Sequence, residues 1–164
     1  MRRRLALLSI AVAVAGADRL SKDAIHAASN GALPVELLGT WVRLVHGENR
    51  GGLFGLLQGS APLLAALSIG VIALLLTLHE RERATGVTLL TISIGALAGG
   101  AIGNLVDRVQ YGYVLDFIDI GVGDLRFWTF NIADAAITAG ILLILADALL
   151  PARLLSSLRV GGRR

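Results

Sequence analysis

Hydrophobic and polar positions along the chain divide it into four long apolar stretches separated by two polar ones. Residues 84–106 hold no charged side chain for 23 positions, more than the roughly 20 apolar residues a helix needs to cross a hydrocarbon core. Residues 51–79 lack Asp, Glu, Lys and Arg for 29 positions, with Pro62 suited to the first turn of a helix, where its missing N–H costs nothing. Residues 127–150 are apolar apart from Asn131, Asp134 and Asp147. Residues 5–17 are apolar for only 13 positions before Asp18, Arg19, Lys22 and Asp23 arrive. The pattern predicts four transmembrane helices, at about 5–27, 61–79, 85–106 and 130–150, with 52–58 as a short interfacial helix. Arg2-Arg3-Arg4, the short apolar run and Ala15-Gly16-Ala17 also form a passable secretory leader, but 18–27 can continue the same helix.

The polar stretches, 28–60 and 107–129, then share one face of the membrane. Within the first, Trp41 to His46 alternates β-branched and aromatic residues after a turn-forming Gly39-Thr40, which predicts a small β-sheet there. Nine of the 15 basic residues (Arg2, Arg3, Arg4, Arg81, Arg83, Arg153, Arg159, Arg163 and Arg164) fall on the opposite face. The positive-inside rule makes that face cytoplasmic, with both termini, and the sheet periplasmic. In the third span Gly95, Gly99 and Gly103 recur every four residues, a spacing that lets helices approach closely.

Composition agrees with a single integral-membrane domain over 1–164. The chain is 55% hydrophobic and 16% charged, with a mean hydropathy of +0.72. So short a domain cannot bury that much apolar surface in itself, so the surface must face lipid. This excludes a cytosolic enzyme, a nucleic-acid binder and a disordered chain; the formal net charge of +3 sits in small clusters. With no cysteine, disulfides, thiolate metal sites and a cysteine nucleophile are excluded together.

Polar residues gather at the span ends. Asn104, Asp107 and Arg108 share one helix face at i, i+3 and i+4. Asn131 suits an N-cap, which puts Asp134 at the third helical position, where the macrodipole favours a carboxylate. Between them, 113–119 is a strand-like run carrying Asp116 and Asp119. The bland account pairs Asp107 with Arg108, makes Asp134 a cap and leaves Asp116 and Asp119 in water. Against it stands convergence: Asp116 and Asp134 emerge on the same side of the membrane. Two carboxylates that meet share a proton, and such a pair can activate water on one side of a peptide carbonyl while protonating the other. Competing chemistries fail on inventory. His79-Glu80 has Arg83 where a zinc helix needs its second His, His26 and His46 are expected to be isolated interfacial residues, and no serine elbow or P-loop occurs. Gly121-Val122-Gly123-Asp124 matches the G-x-G-D of another intramembrane aspartyl protease class but reads as a turn. A transporter or channel subunit with an acidic proton relay, or a non-catalytic interaction subunit, is the alternative; a relay expects ionisable groups at several depths.

In family order, Asp18-Arg19-Leu20-Ser21-Lys22, Asn49-Arg50-Gly51 with Phe54, Gly103-Asn104 with Asp107-Arg108, Gly112 to Phe117, and Phe130-Asn131 to Asp134 are five blocks that resemble the lipoprotein signal peptidase (signal peptidase II) family of bacteria. Gly52-Leu53 departs from the family's usual Ala-Ala. The resemblance implies an aspartic endopeptidase of the inner membrane that removes signal peptides from diacylglyceryl-modified prolipoproteins, cutting before the lipidated cysteine. Asp116 and Asp134 would be the catalytic dyad. Asn49, Gly51, Asn104, Arg108 and Asn131 would orient substrate and dyad, Asp18 and Lys22 would support the site, and Asp107 would pair locally and support the third helix. The family needs no metal or organic cofactor and no partner beyond its substrate and lipid, and the chain is expected to act as a monomer. No role is assigned to Asp119 or Asp124.

Overall fold

A computed structural model describes residues 1–29, 31, 33–52 and 57–149. Its elements are helix α1 (Arg2–Ala28), strands β1 (Val35–Glu36) and β2 (Val42–Asn49), helices α2 (Ala61–Arg81) and α3 (Leu89–Tyr111), strands β3 (Val114–Val122) and β4 (Leu125–Arg126), and helix α4 (Ile132–Leu149). The four strands form one antiparallel sheet in chain order. Of the expected helix over 52–58, residues 53–56 lie outside those described, while Gly52 is a bend and Leu57 and Gln58 belong to a turn, Leu57 with a left-handed φ of +58°. The basic residues from Arg153 onward also lie outside those described.

Among the described residues three helices, α2, α3 and α4, are long and apolar enough to cross a membrane. At about 1.5 Å per residue they run for about 32, 35 and 27 Å. Helix α1 is longer, 27 residues, but carries charge at both ends and does not meet the same standard of apolarity. It is unbroken through Ala17, so the leader-like pattern lies inside a helix that continues to Ala28.

Helix α3 is the centre of the bundle, packed against α1, α2 and α4 and enclosed over most of its length. Its glycines explain how. A Cβ on Gly95, Gly99 or Gly103 would strike α1: Ile10 at 3.0 Å, the Ala11 carbonyl oxygen at 2.7 Å and Asp18 Oδ2 at 2.6 Å respectively. One at Gly100 would strike the Ala133 carbonyl oxygen of α4 at 2.5 Å. The four-residue glycine spacing is therefore the seat of α1, as expected of small residues in membrane helices. The Thr88 hydroxyl accepts from Thr91 N while Thr91 Oγ1 accepts from Thr88 N, which closes the first turn of α3. Gly112 ends it at φ +75°, a left-handed cap.

The two ends of the bundle differ in chemistry. At one, Arg3 donates to the carbonyls of His79, Glu82 and Ala84 and so caps α2 with a residue from α1, while Arg4 pairs with Glu80. At the other, the sheet covers the ends of α1, α3 and α4. Gly123-Asp124 is the two-residue turn of the β3–β4 hairpin, with Gly123 at φ +56°. The G-x-G-D match is thus a turn and no part of a helix.

Candidate active site

Strand β3 leaves α3 at Gly112 and carries Asp116, buried at 2% exposure, inward. Helix α4 begins just after Asn131, which caps it as expected: the Asp134 N–H donates to Asn131 Oδ1 at 2.9 Å and Asn131 N–H donates back to Asp134 Oδ2 at 3.3 Å. That cap fixes the Asn131 amide. With its oxygen held by backbone, its NH2 faces the other way and donates to Asp116 Oδ1 at 2.7 Å. Asn104 of α3 is oriented similarly: its oxygen accepts from Lys22 Nζ at 3.3 Å and Asn131 Nδ2 at 3.2 Å, and its NH2 donates to Asp134 Oδ1 at 2.8 Å. Asn49, whose oxygen accepts from Gly51 N–H at 3.0 Å, donates to Asp116 Oδ2 at 3.0 Å. Three amides, each locked by a partner behind it, aim their donors at two carboxylates.

Both carboxylates line one cavity of about 1170 Å³. Its polar end includes Asn49, Asn104 and Arg108; its walls are apolar, with Leu64, Leu67 and Val71 from α2 and Ile137 and Leu142 from α4. Arg108 makes no ion pair with either acid. It donates to the Asn104 and Gly51 carbonyls, which ties the segment after β2 to α3. Burial, and then the neighbouring charge of Asp134, push the Asp116 carboxyl up to about 7.

Behind the amides lies a charged cluster. Lys22 Nζ stands 2.7 Å from Asp18 Oδ2 and 2.8 Å from Asp107 Oδ2, all three groups almost wholly buried. Asp18 Oδ1 accepts from Ala133 N–H at the start of α4, and Asp107 accepts from Leu115 N–H at the start of β3. Asp107 therefore does not pair with Arg108, its neighbour in sequence. Residues adjacent in a helix point in different directions, and Asp107 turns inward to Lys22. Asp116 and Asp119 do not face water either. Asp119 pairs with Arg43 at 2.6 Å and Arg126 at 2.9 Å, and these hydrogen bonds, Arg126 first, hold its carboxyl below the usual carboxylate range.

Two further features escape a reading of motifs. Gly47 lies opposite Asp116 in the ladder, and a Cβ there would come within 3.0 Å of the Asp116 carbonyl oxygen. A β-bulge between Leu44 and Gly47 makes this close approach and turns His46 toward His26, so the two histidines are neighbours. A lone glycine in a strand-like run was the only signal for either. Among the described residues no group of three or more His, Cys, Asp or Glu could hold a metal ion.

Residues 10–150 match the family model described as signal peptidase (SPase) II. The chain belongs to that family. It is 36% identical to the lipoprotein signal peptidase of Moorella thermoacetica over 148 residues, covering 88% of this chain and 93% of the relative. To that of Burkholderia ambifaria it is 39% identical over 150 residues, 87% of this chain and 86% of the relative. Two solved bacterial membrane enzyme structures superpose with TM-scores of 0.79 and 0.77 at 26% and 29% identity. They cover 96% and 87% of this chain, and 94% and 92% of their own. Membership disfavours the transporter alternative, as does the gathering of Asp107, Asp116 and Asp134 at one end of the bundle. The signal peptidase II fold is here a multi-pass helical bundle with one small sheet over its polar end.

Proposed function

We propose that this chain removes the signal peptide from lipoprotein precursors as an intramembrane aspartic endopeptidase, with Asp116 and Asp134 as its dyad. The carrying observation is that these two carboxylates, Asp116 buried on β3 and Asp134 half-buried on α4, line one cavity and, among the described residues, are held by neutral amides. Such a pair shares one proton, and Asp116, pushed up to about 7, holds it near neutral pH. Asp134, in its ionised form, takes a proton from water as the water oxygen adds to the scissile carbonyl carbon; Asp116 gives its proton to the carbonyl oxygen. Collapse of the tetrahedral intermediate breaks the C–N bond. The proton on Asp134 passes to the leaving nitrogen and a hydroxyl proton returns to Asp116, which restores the pair. Asn49 and Asn131 steady Asp116, Asn104 steadies Asp134, Arg108 and Gly51 shape the cavity mouth, and Asp18, Lys22 and Asp107 hold the frame. No metal or organic cofactor takes part.

The substrate is a prolipoprotein whose cysteine already carries a diacylglyceryl group, cut just before that cysteine. The apolar walls of α2 and α4 suit acyl chains and an apolar signal helix beside the polar end. The chain acts as a monomer in the bacterial inner membrane, as one domain over 1–164. Helix α1 is its fourth span: about 40 Å long, with Leu5, Leu8 and Val12 exposed, and with Asp18 and Lys22 hidden against α3 and α4 rather than offered to lipid. Both termini and the α2–α3 turn are cytoplasmic, supported by the basic residues at that end, and the dyad lies at the outer leaflet.

The decisive experiment incubates purified protein in detergent with a prolipoprotein in its diacylglyceryl-modified and unmodified forms. The modified form should yield the mature product and the unmodified form remain uncut; an equal rate on both would remove the lipid from the substrate. Since the chain has no cysteine, single cysteines report topology directly. Asp124→Cys should react with an impermeant thiol reagent in intact cells, Gly86→Cys only after permeabilisation. The reverse result would invert the orientation.

A further inference from the structure

The outer end of α1 carries His26, and the bulge in β2 brings His46 against it. His26 Nδ1 and His46 Nε2 stand 3.4 Å apart, with ring centres 5.2 Å apart and planes inclined at 65°. That separation allows a weak hydrogen bond, with one ring nitrogen as donor and the other as acceptor. It also suits two ligands of one ion. A tetrahedral Zn²⁺ holds imidazole nitrogens at about 2.0–2.1 Å, which sets two of them about 3.3 Å apart and their ring centres about 5.2 Å apart. Among the described residues neither nitrogen has another partner, and the remaining nitrogen of His26, Nε2, is buried without one. Charge does not bar a cation. Arg19, over the Tyr111 ring that touches His26, is paired with Asp23, and Arg50, over Tyr113, is paired with Glu48.

We propose that His26 and His46 form a binding site for one divalent transition-metal ion of the zinc class, with water in the other two tetrahedral positions. Both residues are half-buried, so water can reach the site. With two protein ligands the site is reversible, unlike the three- or four-ligand sites that hold zinc permanently. The ion would tie the end of α1 to β2 three residues before Asn49. It is a clamp between elements and takes no part in hydrolysis.

The test is a zinc titration of tag-free, chelator-stripped protein in detergent, read by equilibrium dialysis and thermal unfolding. Wild type should bind one Zn²⁺ per chain and melt at a higher temperature with the ion bound. His26→Gln and His46→Gln should each lose at least about tenfold in affinity, together with the rise in melting temperature, while metal-free turnover stays as in wild type. The Asp116→Asn/Asp134→Asn double variant should keep the full response. No binding below about 1 mM, or binding that both histidine changes leave intact and the double carboxylate change removes, would overturn the assignment.

Discussion

Two groups of buried acids lie back to back in this molecule and have been given opposite partners. Asp18 and Asp107 share Lys22, with both contacts under 3 Å. Among the described residues Asp116 and Asp134 make no ion pair, and they receive amide N–H groups of Asn49, Asn104 and Asn131. A carboxylate held by a buried cation is fixed in place, which makes it a structural strut. One with neutral donors and a second carboxylate nearby keeps its proton negotiable, which acid–base work requires. The two groups touch through one atom: Asn104 Oδ1 accepts from Lys22 while its NH2 holds Asp134. The ion-paired cluster thereby orients the proposed dyad.

The largest effect should come from the reactive pair. Asp116→Asn or Asp134→Asn should each lower turnover by at least about 10³-fold, and the double variant should be scarcely worse, since groups acting as a unit are not additive. Binding of lipidated substrate should persist, and the wild-type pH–rate profile should be bell-shaped. Substantial cleavage by either single variant would remove the distinction between the two groups.

Next comes the strut. Lys22→Met leaves two carboxylates buried without a cation and should cost about 3–5 kcal/mol in unfolding measurements. Adding Asp107→Asn should recover part of the loss. A stable Lys22→Met protein would show that the cluster is not held by charge.

A subtler test is the pH dependence of stability. Asp116 titrates near 7 in the fold against a reference value of 3.8, so between these values the folded chain keeps a proton the unfolded chain has released. Stability contributed by this group therefore falls as pH rises from about 4 to about 7. Asp116→Asn abolishes that slope. Its melting temperature relative to wild type should climb between pH 5 and pH 8, and parallel curves would contradict the raised value.

The smallest effect belongs to Asp119, a fifth acid, which has two cations. Arg43 and Arg126 stay partly in water, so Asp119→Asn should cost only about 1 kcal/mol and leave turnover unchanged. Its stabilisation is present above the ordinary carboxylate pKa and lost as pH falls through the lowered folded value.

Much of this was legible in the sequence where the cause is local. The apolar runs mark α2, α3 and α4; Asn131 and Asp134, three apart, encode their own cap; the glycine spacing announces the α1 seat. Partners distant along the chain were not legible. Lys22 meets Asp107 across 85 residues, and nothing in the periodicity of α1 names α3 residues. The bland account pairs Asp107 with Arg108 because they adjoin in sequence, although helix geometry separates them. His26 and His46 looked isolated because a bulge, which alternation cannot reveal, turns one toward the other.

The bond from Ala133 N–H to Asp18 has a consequence for biogenesis. The first helix to be synthesised supplies the acceptor for the first turn of the last one, and its lysine braces the amide that steadies Asp134. A nascent chain lacking any one of α1, α3 and α4 in place holds the two aspartates without the scaffold that makes them a pair. The proposed dyad is therefore complete only once these three helices have met.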